Sequence, residues 1–179
     1  AASDVYKRQA GYSETNKVRI ELWYTPTHYG DTEVDVAQLI ARQLRDTGMI
    51  EVEVKSSEWA TYVDQLRNGR MMVSLLGWYP DYIDPDNFLY PFLHSKANKW
   101  TGTGYENAQA DLLLEQAATL TDVGTRAKMY EQVQNILAED VPYVPILQGE
   151  LIVVTHKNVE GVALGPVMLM PYWTLYKTG

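Results

Sequence analysis

Between Val18 and Leu76 the hydrophobic pattern switches repeatedly between a period of two and a helical period, and this alternation constrains the fold more than any other feature. Val18–Tyr24 (VRIELWY) sets Val18, Ile20, Leu22 and Tyr24 on one side, as a strand does. Thr25–Gly30 (TPTHYG) is loop chemistry. A helix follows from about Asp31 or Thr32, either of which offers a side-chain oxygen to the free N–H groups. Its inward face would be Val36, Leu39, Ile40 and Leu44, and Gly48 ends it. Ile50–Val54 alternates strictly, as a second strand. Ser57 is placed to cap a second helix with Trp59, Tyr62, Val63 and Leu66 inward, stopped by Asn68-Gly69. Met71–Leu76 is a nearly continuous apolar run, the pattern of a strand covered on both faces. The order β-α-β-α-β implies an α/β fold, with a mainly parallel sheet, right-handed crossovers and flanking helices.

The rest of the chain is less regular. Gly77–Leu93 (GWYPDYIDPDNFLYPFL) reads as a Pro- and Asp-rich loop at the carboxyl end of the third strand, and Lys96–Gly104 as more loop. Two helices are expected, over Glu106–Leu120 and over Asp122–Glu139, the second with Tyr130, Val133 and Leu137 inward. Pro142 and Pro145 bracket an extended piece, Leu151–Thr155 reads as a strand, and the tail from Gly161 shows no clear period. Ala1–Gln9 (AASDVYKRQ) resembles the direct translation of a transposase-type sequencing adapter, so the natural sequence is expected to start near Ala10. The expected organisation is an artefact over 1–9, a main domain over 10–160 and a tail over 161–179.

Composition removes several functions. A net charge of −8 with no basic run disfavours nucleic acid. Cysteine is absent, which excludes disulfides, thiolate catalysis and zinc-cysteine sites. The histidines His28, His94 and His156 lack metal-site spacing, and from Asp84 the sixth position is Leu89 where a calcium loop needs Gly. No GxSxG, P-loop or GxGxxG sequence occurs. No apolar run reaches the roughly 18 residues of a membrane span. Tyr (13) and Trp (5) far outnumber Phe (2), a balance that suits either polar ligands or ordinary packing.

In open α/β sheets ligands bind beyond the carboxyl ends of the strands, where the Gly77–Leu93 loop belongs. It carries Asp81, Asp84 and Asp86 among Trp78, Tyr79, Tyr82 and Phe88. A carboxylate shielded by aromatic rings attracts a cation more strongly, about 4 kcal/mol at 4 Å for an effective dielectric near 20 against about 1 in water. Such a site suits a ligand ammonium, through a charge-assisted bond and cation–π contact. Asp84 and Asp86 also fit plain turn and cap roles, and Trp78 fits a core. Paired carboxylates of a glycosidase or other hydrolase are the remaining alternative.

The run Gly77-Trp78, Asp81, Asp84-Pro85 and Asn87-Phe88 resembles the signature of the bacterial extracellular solute-binding proteins of family 5, which include dipeptide- and oligopeptide-binding components of ABC importers. The likeness continues through Tyr105-Glu106-Asn107, Arg126–Tyr130, Gln134–Leu137, Pro142–Ile146 and Asn158–Gly161, spanning about Val18 to Tyr176. It implies the second lobe of a periplasmic-binding-protein-like clamp, a ligand-binding C-terminal lobe over 10–160 with the tail over 161–179 returning toward a first lobe. This would be a monomeric, non-enzymatic receptor without cofactor that takes up peptide or another small polar solute and docks on ABC permease subunits. It implies a periplasmic or extracellular place, anchored at the cell surface as a lipoprotein. Asp81 matches the residue that pairs with the peptide amino terminus, with Trp78, Tyr79 and Tyr82 as pocket wall. Dipeptide binders carry an Arg in the loop after the first strand. Here that loop holds His28 and Tyr29 instead, which makes these two candidate ligand contacts and points to a longer peptide or an oligosaccharide stacked on aromatics.

Overall fold

The three apolar segments of the first half pair as one parallel sheet in a computed structural model that describes residues 7–165, 167 and 170–179. Of the adapter-like stretch, residues 1–6 lie outside the described residues. Strand β1 (Val18–Tyr24) is central. Strand β2 (Ile50–Ser56) runs parallel to it in register from Val18↔Ile50 to Tyr24↔Ser56. Strand β3 (Val73–Ser74) pairs on its other side, Leu22 opposite Val73. The chain forms two compact units, residues 1–77 with 99–104, and residues 78–98 with 105–179.

In the first unit, helix α1 (Glu33–Arg45) covers the sheet. Ala37 and Ala41 are fully buried against Leu22, Val52 and Leu75, with Val36, Ile40 and Leu44 at the margin. The buried stripe is therefore centred on the two alanines, and Leu39, expected inside, is 43% exposed. Small residues at the centre let the helix backbone approach the sheet, which turns the larger Leu39 outward. Glu33 and Asp35 in its first turn and Arg42 and Arg45 in its last suit the helix dipole. Thr32 occupies the cap position without a side-chain cap bond. Helix α2 (Trp59–Arg67) buries Tyr62 and Leu66; its cap is Glu58 rather than Ser57, whose hydroxyl instead lies 3.3 Å from Gln65 Oε1. The Tyr62 hydroxyl donates to the carbonyls of Leu75 (2.6 Å) and Trp23 (3.2 Å), tying α2 to β1 and to the residue after β3. The expected third strand is shorter and wetter than its apolar run suggested. Only two residues pair, Met72 is 63% exposed and Leu75 alone is buried, because β3 is an edge strand.

The second unit is helical. Half of the expected Gly77–Leu93 loop is helix α3 (Pro85–Leu93): Asp84 accepts the Asp86 N–H as a cap, and Pro85 fits the first turn, where no N–H is needed. A 3-10 turn, Asn98–Thr101, lies in the second stretch read as loop. Helices α4 (Ala108–Thr119) and α5 (Val123–Asp140) follow within a residue or two of expectation, capped by Asn107 and Asp122. Leu93, Leu113, Leu114, Ala117, Tyr130 and Val133 form the core, with Leu137 at its edge. The Leu151–Thr155 segment is not a strand. It pairs with nothing among the described residues and is exposed, Val154 to 91%, and apolar sequence alone does not make a strand where its backbone groups have no ladder to join. In the tail, strand β4 (Val159–Glu160) pairs antiparallel with strand β5 (Tyr176–Lys177).

Candidate functional site

The three aspartates near the start of α3 have separate fates. Asp84 is consumed by the fold. Its Oδ1 accepts the Asp86 N–H (2.8 Å), and its two oxygens accept a bidentate pair from Arg126 (Nη1 to Oδ2 2.5 Å, Nη2 to Oδ1 2.8 Å). The Arg126 side-chain bond holds the Asp84 carboxyl below its ordinary range, against the opposing effect of burial. Arg126 is itself fixed by bonds from Nε to the Ala117 carbonyl (2.9 Å) and from Nη2 to the Tyr130 hydroxyl (2.9 Å). Asp86 accepts the Tyr82 hydroxyl at 2.9 Å. Asp81 is exposed, and its carboxylate makes no hydrogen bond or ion pair among the described residues, while its backbone N–H donates to Asn87 Oδ1 at 2.9 Å.

Asn87, part of the stretch read from sequence as loop, is 5% exposed and lies in the first turn of α3. Its Oδ1 also takes the Trp78 indole N–H at 3.3 Å. Its amide pulls the Tyr82 phenol down, but the bond to Asp86, burial and the charges of Asp86 and Asp84 together leave that phenol above its ordinary value. Trp78 packs edge-on to Phe92, centroids 5.1 Å apart. Tyr79 and Tyr82 are about half exposed. Asp81 is therefore not shielded as expected: its side chain is exposed, Trp78 is engaged with Asn87 and Phe92, and the Tyr82 hydroxyl is turned to Asp86.

His28 and Tyr29 belong to the first unit, after β1. The His28 ring stacks on Trp59 (centroids 3.5 Å, planes 4° apart), and Tyr29 stands edge-on to His28 at 4.6 Å. The Tyr29 hydroxyl donates to the Gly77 carbonyl (3.1 Å), and its ring lies so close that a Cβ on Gly77 would fall 2.8 Å from it. Nearby, burial pushes the Glu33 carboxyl up to about 7, against the pull of the Thr25 backbone N–H. Glu33 Oε2 and Thr25 Oγ1 are both buried without a partner among the described residues. Sequence reasoning missed Glu33 because it falls in a helix first turn, where an acid needs no further explanation.

Residues 6–100, more than half of the chain, match the model of the bacterial extracellular solute-binding proteins, family 5 (middle section). The chain belongs to this family. It is 32% identical over 138 residues to the periplasmic oligopeptide-binding protein OppA of Haemophilus influenzae, covering 77% of this chain and 25% of that protein. It is also 32% identical over 157 residues to a probable deoxycholate-binding periplasmic protein of Escherichia coli, covering 88% of this chain and 28% of that one. Among solved structures, a dipeptide-binding protein from a Pseudoalteromonas species in complex with Met-Leu superposes with a TM-score of 0.84 at 28% identity, over 99% of this chain and 35% of that one. The chain thus spans about a quarter to a third of the relatives it matches. The family and these neighbours are binding proteins, and the α/β reading with its parallel sheet agrees with their fold.

Proposed function

We propose that this chain supplies a ligand-binding lobe to the solute-binding component of an ABC transporter that captures peptides for import. Asp81 would pair with the peptide amino terminus. The observation that carries this reading is that, of the loop's three aspartates, only Asp81 presents a carboxylate the fold does not use. Relatives named for oligopeptide and di/tripeptide binding support the ligand class. Closure of a second lobe would withdraw Asp81 from water, so that the attraction to an ammonium rises from about 1 to about 4 kcal/mol at 4 Å. Trp78, Tyr79 and Tyr82 would form pocket wall. His28 and Tyr29, preorganised by Trp59 and Gly77, are retained as candidate ligand contacts. The receptor would act as a monomer in the periplasm or at the cell surface, held there as a lipoprotein, and deliver its load to permease subunits.

The test is equilibrium dialysis of the full-length receptor against a pool of tri- to pentapeptides, free or N-acetylated. Asp81→Asn should weaken the free-amine peptides about tenfold or more and leave the acetylated ones little changed. Equal losses for both would remove the ammonium role.

A further inference from the structure

We propose that Asn87 is the positioning residue of the Asp81 site, its single buried side-chain carbonyl fixing the Trp78 indole and the Asp81 backbone as one unit. The inference rests on the role given to Asp81 above. The Asn87 oxygen accepts from Trp78 Nε1 (3.3 Å) and from the Asp81 N–H (2.9 Å), which uses both lone pairs of a carbonyl. Two of the four candidate site residues in this unit therefore meet one side-chain oxygen. Asn87 is itself tied into the fold: it lies in the first turn of α3, its backbone N–H donates to the Asp84 carbonyl (3.1 Å), and Asp84 is clamped by Arg126. A residue needed only to start a helix would have no reason to hold an indole and a neighbouring backbone N–H as well. The arrangement aims an exposed carboxylate without touching it, leaving all its oxygens for a ligand.

The experiment compares Asn87→Leu, which removes every polar contact at similar volume, with Asn87→Asp, which keeps both acceptor bonds, and uses Asp81→Asn as reference. In dialysis of the full-length receptor against the same peptide pool, Asn87→Leu should reduce the preference for a free amine about tenfold, on the order of one hydrogen bond. Asn87→Asp should retain most of it. In nitrogen-labelled spectra of this chain, the Trp78 indole and Asp81 amide resonances should both move in Asn87→Leu and stay near wild type in Asn87→Asp. If Asn87→Leu does not fold, Asn87→Ser, too short to reach both donors, takes its place with the same expectations. Loss of amine preference in Asp81→Asn with full preference in Asn87→Leu overturns the positioning role alone. An unaltered preference in Asp81→Asn overturns the reading of Asp81, and the resonances then decide Asn87: unmoved signals in Asn87→Leu end the proposal.

Discussion

Replacing Glu33 by Gln should stabilise the protein above neutral pH and do almost nothing in acid. Glu33 opens α1, partly buried beside the Thr25 backbone N–H, and its charge bears on the Tyr62 phenol, which in turn feels Tyr29. Burial lifts its carboxyl from an ordinary value near 4.5 to about 7. In the unfolded chain it ionises near 4.5. Between these values the folded chain holds a proton that the unfolded chain has released, so unfolding free energy falls as pH rises through that window. Above about 7 the full cost of a buried anion is present. At 1.36 kcal/mol per pH unit the displacement corresponds to at most about 3 kcal/mol. The side chain keeps some contact with water, and screening reduces this to about 1–2 kcal/mol. Gln is close in shape, keeps an acceptor for the Thr25 N–H and carries no charge. Urea unfolding followed by circular dichroism should show Glu33→Gln more stable by about 1–2 kcal/mol at pH 8, with the difference fading towards pH 4.5. A difference of the same size at both ends, or a less stable variant at pH 8, would refute the burial argument. The carboxyls held below their ordinary range, Asp84 among them, give the opposite slope, but they are common to both proteins and cancel in the comparison.

Two further substitutions probe the frame around the sites. Gly102→Ala should cost at least about 2 kcal/mol in the same unfolding assay, because φ is +65° and the new Cβ would lie 2.0 Å from the Leu66 carbonyl oxygen; a loss under 0.5 kcal/mol would mean the turn relaxes freely. Arg126→Met should cost about 1–3 kcal/mol at pH 7 by leaving Asp84 without its bidentate partner. That loss should shrink as pH falls through the depressed Asp84 range, where the wild-type advantage also disappears; carbon-detected titration should show the Asp84 carboxyl returning toward its ordinary value.

The parallel half of the fold was legible because its physics is local. The alternation of VRIELWY matches β1 residue for residue, and IEVEV lies within β2. Strand 71–76 was overread because periodicity reports apolarity, not cover: an edge strand and a central one look alike in sequence, and here Met72 and Val73 face water. The same blindness produced the strand at 151–155. Helix α3 was missed for a different reason. Asp84-Pro85 serves a turn or a helix start equally well, and Pro91 inside the segment argues against a helix. The cap bond from Asp84 to the Asp86 N–H decides for helix, and no pattern of period two or 3.6 contains it.

The site was legible as a set of residue types but not as a division of labour. Asp81, Asp84 and Asp86 fall within six positions with similar neighbours, and nothing local tells them apart. What separates them is Arg126, 42 positions along the chain, which selects Asp84 and is aimed by Ala117 and Tyr130. Asp86 is then taken by Tyr82, and Asp81 remains. A carboxylate is available for a guest only when the host does not need it. On that ground the role proposed for Asp81 depends on where the guanidinium sits, and removing that guanidinium should weaken the dependence on Asp81. In the Arg126→Met variant, Asp84 keeps its cap bond to the Asp86 N–H but loses its cation, and Asp81→Asn added to it should cost less amine preference than in wild type. Equal costs in the two backgrounds would mean that Asp84 stays out of reach of the ligand whether or not it is paired.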